Sequence, residues 1–285
     1  MNIDKFLLTQ GMKYIVIFFC LSFLYACNFS GIKQNDLDTN ELSYSTNSDV
    51  EFNPVVEDSL VLEQGIVIKY FTRGNGDVVR KGDVVMIDYA NKLEDGKVFD
   101  TNKKIGKPIP FIVGWLMQTR GWDLAFENLR VGDHVEIFIP SKYARGSAGI
   151  KGLVLPDADN WLDVKIVSKR QADINIDGVE VFIFEREKGA KKVHVGDELD
   201  LDYIAYSETK PRYSSSYANG APFQFKVGSG SNLPGLNMAI ENAYYDDMLW
   251  VLIPPKHAFG SKGSVGNVKP NEAVLFDLLI SERIE

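Results

Sequence analysis

Ile139-Pro-Ser-Lys-Tyr-Ala-Arg-Gly146 and Ile253-Pro-Pro-Lys-His-Ala-Phe-Gly260 share one pattern, Ile-Pro-x-Lys-x-Ala-x-Gly, and lie 114 residues apart. The same offset holds outward from them. Gly82-Asp83 recurs as Gly196-Asp197, Tyr89 as Tyr203, Phe111 as Phe225, Gly121 as Gly235, Pro156 as Pro270 and Asp163 as Asp277, without a gap. Such a period is too long for a solenoid unit and suits a duplicated domain of about 100 residues. The first copy is placed at 60–169 and the second at 170–285.

Within a copy the hydrophobic pattern is mostly that of strands. Residues 83–90 are β-rich, residues 134–140 put Val135, Ile137 and Ile139 on one face, and residues 161–167 close the copy as a further strand. One stretch has helical period. Trp122, Ala125, Phe126 and Leu129 make a single apolar stripe, repeated by Leu236, Ala239, Ile240 and Ala243. Several antiparallel strands with one short helix predict an α+β chain of two tandem domains, each a bent antiparallel sheet packed on one short α-helix.

The amino-terminal part reads differently. Lys13 precedes a nearly all-apolar run from Tyr14 to Ala26, the n-region and h-region of an export signal. The run is shorter than the roughly 17–25 residues a membrane span requires. It ends Leu24-Tyr25-Ala26-Cys27, which resembles a bacterial lipobox, in which the cysteine after a small residue is diacylated and becomes the mature terminus. Residues 1–26 are therefore expected to be a lipoprotein signal peptide; the alternative is a plain secretory signal with an incidental Cys27. Only Cys20 and Cys27 occur, so removal of the signal and lipidation of Cys27 would leave no free thiol in an oxidising compartment. Translation from Met1 and from Met12 are both compatible with this signal. Residues 27–59 are polar and without periodicity, and are expected to form a flexible tether.

Net charge is −8 and no basic stripe is present, which argues against a nucleic-acid partner. His134, His194 and His257 have no metal-ligand spacing, and no phosphate loop or nucleophile elbow occurs, so neither a metal nor a cofactor is expected. The notable residues are aromatic. That points to a binding pocket, or to a reaction that needs no acid, base or nucleophile.

Tyr89-Ala-Asn-Lys-Leu-Glu-Asp-Gly-Lys-Val-Phe-Asp100, Gly106-Lys-Pro-Ile-Pro-Phe111, Gly121-Trp122, Val131-Gly132, Ile139 to Gly146 and Leu162-Asp163 follow one another in order. Together they resemble the FKBP-type peptidyl-prolyl isomerase family. The second copy matches through Pro222-Phe-Gln-Phe225, Ile253 to Gly260 and Leu275-Phe-Asp277. The resemblance implies an apolar pocket that turns an X-Pro amide. In copy one it implies Tyr89, Phe99 and Asp100 as wall and polar edge and Trp122 as floor. Ile109, Phe111, Gln118, Thr119, Arg145, Val154 and Leu162 stand at the remaining substrate-binding positions. In copy two it implies Tyr203, Tyr213, Phe223, Phe225, Leu233, Leu236, Phe259, Val268 and Phe276. Departures from the family are Ile109 for Phe, Gln118-Thr119 for Val-Ile, Arg145 for the Tyr hydroxyl donor and Leu162 for Phe. In the degenerate copy two they are Leu236 for the Trp floor, Ser214 for the Asp and Phe259 for the donor. Any one of these aromatics, taken alone, is equally a core residue.

Two functions follow from the resemblance. One is a peptidyl-prolyl isomerase acting on proline-containing exported polypeptides, with copy one the better candidate. The other is a non-catalytic peptide-binding module or a structural subunit of a cell-envelope complex. Asn28-Phe29-Ser30-Gly31 has no acidic run, and the expected location is the cell envelope, lipid-anchored to the outer membrane and facing the periplasm. Cys27→Ala is expected to leave the chain unprocessed or to release it from membranes. Intact mass and membrane fractionation read this, and a mature wild-type chain without lipid on Cys27 would refute the anchor.

Overall fold

A computed structural model describes residues 55–283; the signal segment, Cys27 and the tether as far as residue 54 lie outside the described residues. The described residues form two seven-stranded sheets. The first contains β1 (Asp58–Val61), β2 (Val67–Thr72), β3 (Val84–Lys92), β4 (Val98–Thr101), β5 (Ile109–Ile112), β6 (His134–Ile139) and β7 (Asn160–Arg170). Its order is β1-β2-β6-β7-β3-β4, with β5 also on β3. The second contains β8 (Ile174–Ile176), β9 (Val179–Glu185), β10 (Glu198–Ser207), β11 (Ser214–Ser215), β12 (Phe223–Lys226), β13 (Met248–Ile253) and β14 (Val274–Glu282). It repeats the first strand for strand as β8-β9-β13-β14-β10-β11, with β12 on β10. Helix α1 (Arg120–Phe126) recurs as α3 (Pro234–Ile240), and a single-turn helix α2 (Ser216–Asn219) is added in the second copy. The α+β class and the tandem arrangement thus hold.

By proximity the chain groups into two compact units. Of the described residues, one holds those up to Val78 with Met86–Ile109 and Asn128–Ser168; the other holds Val79–Val85, Pro110–Glu127 and those from Lys169 on. β1 starts at Asp58, inside the stretch assigned to the tether by composition.

The strands form where the alternation is strongest. β6 buries Val135, Ile137 and Ile139 completely, and β7 does the same with Leu162, Val164 and Ile166. In the second copy Leu249, Val251 and Ile253 on β13 face Val274, Phe276, Leu278 and Ile280 on β14 in one core. The pairing is antiparallel, with Val251 opposite Phe276 and Leu249 opposite Leu278. Pro234 opens α3 with a preset φ and no N–H to leave unpaired. Leu236, Ala239 and Ile240 then turn inward. A Cβ on Gly235 would stand 2.3 Å from Ile253 Cγ2, so only glycine lets the helix sit this close to β13. Both helices end before the last residue of the predicted stripe, so Leu129 and Ala243 are buried just past the helix ends.

The copies differ on the far side of the last strand. Asp163 in β7 is bonded by Lys92 Nζ at 3.3 Å and lies 3.0 Å from His134 Nε2. Its counterpart Asp277 in β14 is buried, and that burial pushes its carboxyl up to about 7 against the pull of the nearby Trp250 indole N–H and the Arg212 guanidinium. Between the ordinary carboxylate range and that value the folded chain holds a proton that the unfolded chain has released. Asp277 therefore takes stability away as pH rises through this window, by at most about 1.4 kcal/mol per pH unit. Asp277→Asn is expected to flatten this part of the stability profile and to raise the melting temperature at pH of about 8 relative to wild type. Calorimetry of both chains between about pH 4 and pH 8 checks it, and parallel profiles would contradict it.

Candidate functional site

In the second copy a cavity of about 330 Å³ opens between the sheet and the start of α3. The strands build its wall by their period of two. β10 contributes Leu201 and Tyr203, β14 contributes Phe276 and Leu278, and β12 contributes Phe223. Leu233 and Leu236 come from the start of α3, Ser231 and Asn232 from the loop before it, Tyr213 and Ser214 from the segment entering β11, and Phe259 from the turn after β13. The rings meet edge-on or tilted. Tyr203 lies 6.3 Å from Phe223 and 6.0 Å from Phe276, and Tyr213 lies 6.4 Å from Phe259 at 77°. Seven of the nine residues named from the sequence for this copy border the cavity. Phe225 and Val268 do not; both are buried in the core behind it.

Leu201, Leu278, Ser231 and Asn232 were not anticipated. The first two stand two residues from Tyr203 and Phe276 on the same strand faces, so the period of two reaches them. The other two sit in an irregular loop with no periodicity to follow.

One polar bond is common to both copies. In copy one Tyr89 Oη donates to Asp100 Oδ1 at 2.8 Å, and in copy two Tyr203 Oη and Ser214 Oγ are 2.7 Å apart. The strand pair β3–β4 sets this geometry, with Ala90 opposite Thr101 and Asn91 opposite Asp100. Thr101 Oγ1 donates to the Tyr89 carbonyl at 2.7 Å and closes the corner. Burial raises the Asp100 carboxyl, while the Tyr89 hydrogen bond and the Arg145 charge pull it back down. Burial and the neighbouring Asp100 likewise push the Tyr89 phenol far up, so it stays protonated and a donor. Phe99 is half-buried on β4; Ile109, Val154 and Leu162 are buried.

Two further named residues of copy one, Phe111 and Trp122, form an aromatic cluster with Phe126. Trp122 stacks on Phe126 with centroids 5.6 Å apart, and Phe111 lies 5.4 Å from Trp122 and 4.8 Å from Phe126. Gln118 and Thr119, just before α1, are buried. The loop beside them is pinned by Asp123, whose two oxygens accept Gly114 N–H at 2.8 Å and Leu116 N–H at 2.9 Å. Burial pushes this carboxyl up to about 6 despite those two donors. At the corresponding position Asn237 accepts Gly228 N–H at 3.2 Å and donates to the Ser229 carbonyl at 2.8 Å.

The FKBP-type peptidyl-prolyl cis-trans isomerase family profile matches twice, at residues 76–167 and 189–280. The chain belongs to this family. A human relative, peptidyl-prolyl cis-trans isomerase FKBP10, is 26% identical over 221 residues, 77% of this chain and 38% of that protein. A peptidyl-prolyl cis-trans isomerase of Saccharomyces cerevisiae is 39% identical over 112 residues, 39% of this chain and 27% of that protein. The matched stretch is thus well under half of either relative. Among solved structures, the three FKBP domains of wheat FKBP73 align at 22% identity and a TM-score of 0.39, covering 78% of this chain and 96% of that one.

Trp122 is 2% exposed and wedged against two phenyl rings. Trp122→Ala is expected to cost about 3–5 kcal/mol of stability through the cavity it leaves. Trp122→Phe should cost markedly less. Chemical denaturation of the two variants measures the difference, and equal losses would show that ring volume is not what the site depends on.

Proposed function

We propose that this chain is a membrane-tethered peptidyl-prolyl isomerase for exported polypeptides, in which copy one turns over substrate and copy two docks proline-containing segments. The observation that carries this reading is the bond from the strand tyrosine. It ends on the Asp100 carboxylate in copy one and on a neutral hydroxyl, Ser214, in copy two. The family's polar edge is kept in the first and lost in the second.

The chemistry is conformational. Rotation about an X-Pro amide faces a barrier of about 18–20 kcal/mol because resonance holds the group planar. Twisting breaks the resonance and leaves a less polar carbonyl and a pyramidal nitrogen. A dry aromatic wall favours that twisted form over the planar one, which is differential binding of the transition state without a covalent step. In copy one Trp122 would lie under the proline ring as the floor. Arg145 would supply, from its always-charged guanidinium, the donor that the family takes from tyrosine. In copy two the cavity is apolar enough to hold a proline segment, but Leu236 gives no indole-sized face.

The envelope setting rests on Leu24 to Cys27 and the polar stretch that follows. Lipidation at Cys27, with the residues between it and β1 as a leash, would hold both domains near the inner surface of the outer membrane, where unfolded exported chains pass. The second reading, a docking module or a structural subunit of an envelope complex, is favoured for copy two by Ser214 and Phe259.

A proline-peptide isomerisation assay on the full chain separates the readings. Asp100→Ala is expected to lower kcat/KM about tenfold, a loss of about 1.4 kcal/mol in the transition state. Ser214→Ala should leave the rate within about twofold, since each 1.4 kcal/mol is a factor of ten. A larger loss with Ser214→Ala would move turnover to copy two. No activity in the wild-type chain would leave the docking module.

A further inference from the structure

We propose that Tyr213 is the hydrogen-bond donor of the second copy's cavity, and that its ligand is an apolar X-Pro segment whose carbonyl accepts from the Tyr213 hydroxyl. This rests on the docking reading above and assigns the contact that makes it specific.

Four hydroxyls belong to the cavity wall, those of Tyr203, Tyr213, Ser214 and Ser231. Three are engaged within the protein. Tyr203 Oη and Ser214 Oγ bond each other at 2.7 Å, and Ser231 Oγ bonds Ser229 Oγ at 2.8 Å. Asn232 also turns its amide inward to the fold, donating to the Lys226 carbonyl at 2.8 Å. Among the described residues Tyr213 Oη is buried and has no hydrogen-bond partner. Buried polar groups in folded proteins are nearly always bonded, so among the hydroxyls of the wall residues this one is the donor left for a ligand that brings an acceptor to it.

The position of this hydroxyl explains a departure in the sequence. Tyr213 corresponds to Phe99 and Phe259 to Arg145 at the repeat offset. The family's hydroxyl donor belongs at the Phe259 position, and there the second copy has a bare phenyl ring. The two rings meet edge-on across the cavity wall. Phenyl and phenol have in effect exchanged places, and the donor approaches the cavity from the segment before β11 instead of the turn after β13.

Ligand chemistry follows from the donor. Burial, reinforced by Tyr203 nearby, raises the Tyr213 phenol above its ordinary value, so it stays O–H. Proline has no backbone N–H, and an X-Pro linkage offers only carbonyl acceptors beside an apolar ring. The rest of the wall is hydrocarbon, aromatic, or polar and already bonded within the protein. A cavity of about 330 Å³ accepts a proline ring with one apolar neighbour.

The test is methyl NMR of the full chain labelled at leucine, titrated with a succinylated Ala-Leu-Pro-Phe amide. The Leu233 and Leu236 methyls report this cavity and not the first copy. Tyr213→Phe is expected to weaken binding at these methyls about three- to tenfold, the loss of one hydrogen bond. Adding Phe259→Tyr to that variant should restore most of the affinity, because the donor returns from the other side. Unchanged affinity in Tyr213→Phe, with the methyl spectrum of the free chain preserved, would overturn the donor assignment. Absence of any shift at Leu233 and Leu236 in the wild-type chain would overturn the docking reading on which it rests.

Discussion

A helix of seven residues does not hold itself together in water, because the cost of nucleation outweighs the few bonds it makes. Helix α3 exists because Leu236, Ala239 and Ile240 are buried and because Gly235 lets its backbone close on Ile253. The site is built from the same contact. Fixing the helix against the sheet brings Leu233, Ser231 and Asn232 to the cavity mouth and leaves Leu236 as both a core side chain and a cavity wall. Fold and pocket share atoms here, which is why changes at the floor position reshape the groove and the core together.

Much of this was legible in the chain. The constant repeat offset reappears in the structure as two sheets with the same strand order, and the alternation at Val135, Ile137 and Ile139 is one fully buried face. The helical stripe located α1 and α3 but not their ends. Leu129 and Ala243 continue the apolar pattern after the helices stop, since burial does not require helical geometry. Pattern also does not separate a side chain on a cavity wall from one directly behind it. Phe223 and Phe225 are alternate residues of β12, where Phe223 is 45% exposed and Phe225 is 2% exposed. The burial of Asp277 has no signature either, because its counterpart Asp163 is the same residue in the same strand position and stays half-exposed beside Lys92 and His134.

The divergence of the copies has a consistent electrostatic sense. The framework pairs survive, such as Gly149 and Gly263. Each stands at positive φ with its Cα so near the Val154 or Val268 carbonyl oxygen that a Cβ would approach it to 2.4 Å. The charged positions around the site do not survive. Asp100 becomes Ser214, Arg145 becomes Phe259 and Asp123 becomes Asn237. In two of the three the bond is retained with a neutral group: Ser214 still meets the strand tyrosine, and Asn237 still holds the loop before the helix.

The joint loss of Asp100 and Arg145 is the informative part. In copy one the Arg145 charge lowers the buried Asp100 carboxyl, so each ion offsets some of the other's desolvation. Removing one alone takes from the other a charge that offsets part of its desolvation. Removing both is tolerable, and replacing them with a hydroxyl and a phenyl ring makes the wall more apolar. A neutral wall also costs less to desolvate than a charged one. The second copy's wall is therefore the less charged of the two, with Ser214 and Phe259 where the first has Asp100 and Arg145.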